Sequence, residues 1–509
     1  MLRRFRCAIV ALALVVAVPV LALAQAPSTL PAASPAASDD ARLLAAMHAI
    51  SSHTLFDWVK EMCEPRYKGR LTGTPGYDAV AAWTARLLAS WNVKPAGEKG
   101  TWLQAFANPY TLVLPGGGLT LDIPAPGGAV IRKPYVFEKD FFPGSTSDSG
   151  TVTAEVVYVG YGITAPELGY DDYAGIDVKG KLVMMEPEVP VWPPDKEPDL
   201  FKRWRPYSFH DYKMKNAAGH GALGVVYNYH IVNPNCAFIK GLLITSVGAP
   251  VWNDVFAGTG KTRDGLVKAM QTTRKPASFA TGKTMTVSSV SEHHPEGIGS
   301  NVVGWIEGSD PQLKQEAIVI GGHLDHLGLN PELMPGAHDN ASGAAVTLAV
   351  AHALATAGIP LKRSVVFILF GAEEQGVKGS EYYVAHPFFP NGSTRGFINM
   401  ESVGRGERLS AGGGRNFPEL FEPFERLNAK YVHRPLTAGM TSNIARPRQD
   451  AAHFMWAGVP TLSFGTGGAP PLPYATYHTT KDDLDLITPE IMEDLARLTF
   501  LAVVELANR

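Results

Sequence analysis

From Asn301 onward the chain alternates short apolar runs with amphipathic segments, and this rhythm restricts it more than any other feature. Such a pattern predicts an α/β sheet with helices on both faces. Strands are expected at Ala317–Ile320, Ser364–Phe370, Phe397–Met400 and Thr461–Phe464, with helices at Ala344–Ala357 and Pro489–Ala507. Open α/β sheets bind ligands beyond the carboxyl ends of their strands, so the residues just after each strand matter most.

Those residues are polar in every case. The first strand runs into Gly321-Gly322-His323-Leu324-Asp325, the second into Gly371-Ala372-Glu373-Glu374, and the third into Asn399-Met400-Glu401. The fourth opens a Gly/Pro-rich loop that reaches Tyr477-His478, and Ala337-His338-Asp339-Asn340-Ala341-Ser342-Gly343 opens a helix between the first two. A His-x-Asp triplet, a Glu-Glu pair or an Asp at a helix start is commonplace alone. Their succession at strand ends and a helix start is not.

Two histidines and three carboxylates suit a pair of zinc ions with nitrogen and oxygen ligands. The expected ligands are His323, Asp339, Glu374, Glu401 and His478, with Asp339 shared between the ions because a short side chain at a helix start is held rigidly. Glu373 is one acid more than the metals need and fits a general base that takes a proton from the attacking water and passes it to the leaving amine. Asp325 is placed to orient His323. The glycine-rich segments Gly412–Gly414 and Gly465–Gly468 lack the Lys-Ser/Thr of a phosphate loop.

The rest of the chain sets the context. Three arginines in Met1–Arg6, the apolar run Cys7–Leu23 and the small residues of Ala22-Leu23-Ala24 predict a signal peptide over 1–24, cut before Gln25, and hence a periplasmic or secreted protein. Pro19 interrupts a run already short for a membrane span, so no stable membrane insertion is expected. Residues 25–40, rich in Ala, Pro and Ser, read as a flexible linker. Helical spacing over Ala41–Met62 and Asp78–Trp91 gives two more helices, and Gly69-Arg70-Leu71-Thr72-Gly73-Thr74-Pro75-Gly76 is dense in turn formers. Between Asn108 and Lys283, frequent Gly and Pro with clusters such as Val156-Val157-Tyr158-Val159 read as a β-rich region with one or two short helices. A net charge of -3 sets nucleic acid aside as a partner. With only Cys63 and Cys236 left after cleavage, a cysteine-based zinc site is excluded and at most one disulfide is allowed.

In this order, Gly-Gly-His-Leu-Asp, Gly-Ala-His-Asp-Asn-Ala-Ser-Gly, Phe-Gly-Ala-Glu-Glu, Asn-Met-Glu and Tyr-His resemble metallopeptidase family 28, which includes leucyl-type aminopeptidases and glutamate carboxypeptidase II. The resemblance implies a zinc-exopeptidase fold, with a mixed central sheet flanked by helices. It places one zinc on His323, Asp339 and Glu401 and the other on Asp339, Glu374 and His478, with Glu373 as the base. Tyr477 matches a position where some members stabilise the oxyanion, and Asp450 with Phe454 resembles a segment bordering the substrate pocket. Glu401 stands where the best-known members carry Asp, and His338 and Asn340 stand where acidic residues are common.

Tyr158–Ile163, Asp171–Tyr173, Val178–Val183 and Lys215–Ala222 resemble an inserted protease-associated domain. The implied division is 41–124 and 286–509 for the peptidase and 125–285 for the insert. The implied activity is hydrolysis of N-terminal residues from peptides. A carboxypeptidase is the near alternative and would need a cationic pocket, for which Arg405, Arg408, Arg415, Arg446 and Arg448 are candidates. A one-zinc glutaminyl cyclase and a catalytically inactive binding ectodomain are the others.

Overall fold

The computed structural model describes residues 38–191, 196–440, 448–468 and 476–509. The expected signal peptide, most of the linker and Arg446 lie outside the described residues. Among the described residues, no helix is long and apolar enough to cross a membrane.

Two large sheets organise residues 39–509. The first has nine strands, and at its centre four strands run parallel in the order Ser364–Phe370, Ala317–His323, Thr394–Met400, Thr461–Gly467. Antiparallel strands close it on both sides: Ile298–Ile306 beside Ser364–Phe370, and Arg408–Gly412 beside Thr461–Gly467. The sheet is buried on both faces, which explains why its central strands read as unbroken apolar runs. Ile318, Ile320, Val365 and Phe367 point into a core shared with the helices Ser52–Met62, Ser342–Thr356 and Pro489–Asn508. The alternate residues Val319, Val366 and Ile368 pack on the other face against Tyr383 and Phe454.

Several elements depart from expectation. The Thr461 strand runs on through Gly465-Thr466-Gly467, because those residues pair with Arg408–Ser410. The helical stretch expected over Ala41–Met62 is two helices, Asp39–Ala49 and Ser52–Met62, parted where Ser51 is extended.

The second sheet has eight strands whose residues run from Tyr110 to His294. Both ends lie outside the expected bounds of 125 and 285, since the long Tyr110–Pro124 and Phe279–His294 strands pair along most of their length with each other. It is also more helical than expected. Pro198–Trp204, His210–Gly219, Ala249–Phe256 and Arg263–Thr273 are all α-helices. Pairing accounts for two of them: Gly150–Tyr158, Leu182–Met185, Gly224–Tyr227 and Leu243–Val247 are mutually parallel, parallel neighbours need long crossovers, usually helical, and Pro198–Trp204 and His210–Gly219 lie in the crossover from Leu182–Met185 to Gly224–Tyr227. The crossover 228–242 has no helix. It is the segment that reaches the candidate site.

Candidate metal centre

The five expected ligands converge beyond the carboxyl ends of the parallel strands. His323 ends its own strand, Glu374 and Glu401 come within a few residues of the ends of theirs, and Asp339 sits in the turn Ala337–Ala341 that leads into the Ser342–Thr356 helix. His323 Nε2 lies 3.2 Å from Asp339 Oδ1 and 3.5 Å from Glu401 Oε1. His478 Nε2 lies 3.3 Å from Asp339 Oδ2 and 3.0 Å from Glu374 Oε2. Asp339 therefore offers one oxygen to each imidazole, the arrangement a shared ligand requires.

The tautomers sharpen this geometry. His323 Nδ1 is 3.2 Å from its neighbour's carbonyl, Asp325 O, and His478 Nδ1 is 2.7 Å from Val232 O. A carbonyl can only accept, so each Nδ1 donates, and which nitrogen carries the proton is set by such a bond. Each Nε2 is left aimed at carboxylate oxygens, buried and without a hydrogen bond. Lone pairs facing lone pairs in a dry pocket repel unless a proton or a cation lies between them. In the metal-free chain the proton serves. Burial opposes charge on His478, but Glu374 and Asp339 push its pKa up to about 10. Burial likewise opposes charge on His323, and Glu401, Asp325 and Asp339 outweigh it. The chemistry of the donor set, imidazole nitrogen with carboxylate oxygen, fits zinc.

The other expected residues gather at the same place. Asp325 spans the loops: its carboxylate accepts the backbone N–H groups of Glu373 at 3.2 Å and Glu374 at 3.4 Å and stands 3.6 Å from His323 Nδ1. Its effect on the imidazole thus comes largely through its own carbonyl. Glu373 lines the pocket, and burial, with added repulsion from Glu401 and Glu374, raises its pKa well above the carboxylate norm. Tyr477 stacks on His478 with ring centroids 3.8 Å apart. Asp450 is fully buried below the cluster, where burial pushes its pKa to about 8.

Three residues of the site, His326, Asp482 and Arg70, escaped the sequence reading, and the bracing role of Asn340 did too. His326, three positions after His323, shares a 2.8 Å hydrogen bond between its Nδ1 and Glu374 Oε1. Asp482 accepts the backbone N–H groups of His338 and Asp339 and so fixes the turn that carries Asp339. Asn340 ties that turn to the next strand end, donating to Met400 O and accepting from Ser402 N. Arg70, fully buried, donates to Leu324 O, Met62 O, Pro335 O and Gly336 O at 2.8–2.9 Å, bracing two ligand loops from below. The His-Leu-Asp-His string gave a hint of His326. Nothing in the sequence separates Arg70 from an ordinary loop arginine.

The pocket over these residues holds about 390 Å³. Its floor is the acidic cluster; its opposite wall comes from the second sheet's region, through His210, Tyr229, Ile231, Asn233 and Asn235. Of the five arginines expected as carboxylate binders, Arg448 lines this pocket, paired with Glu188 at 3.3 Å, and Arg405, Arg408 and Arg415 do not. Cys63 and Cys236 are unpaired.

A mixed sheet with an imidazole–carboxylate cluster beyond its parallel strand ends is an arrangement that could hold metal ions. Residues 301–503 match the profile of peptidase family M28. An aminopeptidase of Pseudomonas aeruginosa PAO1 is 28% identical over 390 residues, covering 71% of this chain and 61% of that protein. Aminopeptidase YwaD of Bacillus subtilis is 29% identical over 233 residues, 44% of this chain and 40% of its own length. The chain thus spans about three fifths of the length of the Pseudomonas relative. Its fold is that of an aminopeptidase from Aneurinibacillus sp. strain AM-1, with a TM-score of 0.62 at 20% identity over 92% of this chain and 96% of the other. The zinc aminopeptidase BSAP of Bacillus subtilis gives 0.60 at 18% identity over 90% and 96%.

Proposed function

We propose that the chain is an exported zinc-dependent aminopeptidase that removes N-terminal residues from peptides. The observation that carries this reading is the pair of buried Nε2 atoms, one on His323 and one on His478, facing opposite oxygens of Asp339. His323, Asp339 and Glu401 would hold one zinc, and Asp339, Glu374 and His478 the other. When bound, the two ions supply a Lewis-acid field for the scissile carbonyl and make water a better nucleophile at neutral pH.

The chain's own residues do the rest. Glu373 holds a carboxylate in the pocket that is not needed as a ligand, takes the proton of the attacking water and delivers it to the leaving amine. Its pKa, raised by burial, suits that exchange, because such a carboxyl holds the proton between the two steps more firmly than an ordinary one. Asp325 fixes the Glu373–Glu374 backbone. Tyr477 sits beside His478, where its ring helps shape the oxyanion's side of the pocket. The preference for a free α-amine follows from charge: among the described residues, Asp339, Glu373, Glu374 and Glu401 line the pocket against one arginine, itself engaged by Glu188. The same imbalance argues against a carboxypeptidase.

The test is metal content by elemental analysis together with hydrolysis of free-amine and N-acetylated aminoacyl reporters, with and without chelator. About two zincs per chain and chelator-sensitive release from the free-amine series alone are expected. Turnover of the acetylated series would overturn the aminopeptidase reading, and one zinc per chain would overturn the two-metal assignment.

A further inference from the structure

Beside the metal pocket lies a second cavity of about 490 Å³, within the ordinary range for a ligand site. The two are neighbours across a thin partition. Asn235 lines both. On the opposite side the chain leaves Glu374 and divides its residues: Val377 faces the metal pocket and Gly376 the second cavity. Gly376 has φ +108°, and a Cβ there would come within 3.0 Å of Asn235 Oδ1, so any larger residue would both strain the backbone and wedge the passage.

The lining of the second cavity indicates what it takes. Tyr110 and Phe238 give it an aromatic wall, and the Phe238 ring is backed by His293 at a centroid distance of 4.0 Å. Ser145 is in the wall, 8% exposed, and its hydroxyl makes no hydrogen bond. Of the charged groups, Lys378 and Asp211 are engaged within the protein, and Glu381 is exposed at the rim. Lys378 donates to Asn108 Oδ1 at 2.9 Å with Glu381 near it, and Asp211 pairs with Lys215 while accepting the Ala237 N–H at 3.0 Å. Apart from the Glu381 carboxylate, the surface left on offer is ring face and neutral hydrogen-bonding groups. That combination matches an uncharged stretch of peptide.

We propose that this second cavity is the subsite for the leaving peptide, and that it prefers an aromatic or long apolar side chain downstream of the scissile bond. The proposal rests on the aminopeptidase reading: with the N-terminal residue held over the acidic floor, the remaining chain must leave the metal pocket, and Asn235 marks a direct way out. The crossover 228–242 supplies Asn233 and Asn235 to the one pocket and Cys236, Ala237 and Phe238 to the other, so a single segment would contact the substrate on both sides of the cut.

The experiment compares kcat/KM of the zinc-loaded chain on substrates with one N-terminal residue: an aminoacyl reporter, then di-, tri- and tetrapeptide amides carrying Gly or Phe downstream. A rise of about tenfold with length, and about tenfold more for Phe than for Gly, is expected. Phe238→Ala should remove most of that preference while leaving the aminoacyl reporter within about twofold. Ser145→Ala should lower the longer amides by about fivefold without lowering Tm, since it deletes a hydroxyl that has no partner in the fold. A flat length series, or a Phe238→Ala defect equal on every substrate, overturns the subsite while leaving the aminopeptidase standing. Failure on the aminoacyl reporter itself would remove the aminopeptidase reading, and the subsite with it.

Discussion

The two sheets meet at the candidate site but contribute to it in opposite ways. The nine-stranded sheet supplies side chains that would hold metal and move protons, each at a strand end or helix start. The eight-stranded sheet's region supplies shape, through a crossover that carries no motif. Among the contacts that join them, two lie beside the last expected ligand: His478 exchanges hydrogen bonds with Val232, Nδ1 to the carbonyl at 2.7 Å and carbonyl to the N–H at 3.2 Å, and Thr480 donates to Glu138 at 2.8 Å. The last expected ligand is thus held in its tautomer by the other region's backbone. The contrast teaches that the region without expected ligands still takes part in building the candidate metal site.

The division can be broken from the catalytic side first. Asp339→Ala should abolish binding of both zincs and leave activity at background, read by elemental analysis and turnover; a chain still holding two zincs would mean Asp339 is not shared. Glu373→Gln should keep both metals and lower kcat by about 10²–10⁴-fold, because it removes the proton carrier and no ligand. Near-normal turnover would assign the base elsewhere.

Smaller effects sharpen the comparison. His326→Ala should weaken zinc affinity by about 10–100-fold, since it frees Glu374 from its orienting partner. Competition with a chelator of known affinity measures this. Glu138→Ala cuts the tie to Thr480 and should cost only a few-fold in kcat or zinc affinity, as one partly exposed hydrogen bond does. An effect as large as that of His326→Ala would move Glu138 into the metal site's support.

A pH dependence arises from the imidazoles. In the metal-free chain His478 has its pKa pushed to about 10, so it is protonated at pH 7–8 and must lose that proton to bind zinc. Zinc uptake at pH 8 should therefore release protons, and apparent affinity should rise with pH until His478 deprotonates near 10. Calorimetry in buffers of different ionisation enthalpy measures the proton count, and a count of zero would place the His478 ring outside the ligand set.

How much was visible beforehand differs between the two regions for a physical reason. The central strands were legible because burial on both faces forces unbroken apolar runs, and Ser364–Phe370 has the bounds its composition suggests. The expected ligands were legible because metal chemistry restricts residue type and an α/β sheet restricts where such residues stand. In the second sheet, the helices were undercounted because their short segments carry weak periodicity, while the parallel pairing that accounts for two of them is a long-range fact.

The sequence by itself determined the α/β alternation, the donor set of two histidines and three carboxylates, and an acidic, cysteine-free site. Tertiary structure alone decided that His326, Asn340, Asp482 and Arg70 brace that site, that the crossover 228–242 walls it, and that Val232 sets the His478 tautomer. The reason is the range of the forces involved. Apolar periodicity and residue chemistry are written locally along the chain, whereas the partner of a backbone carbonyl or a buried guanidinium is chosen only when distant segments pack.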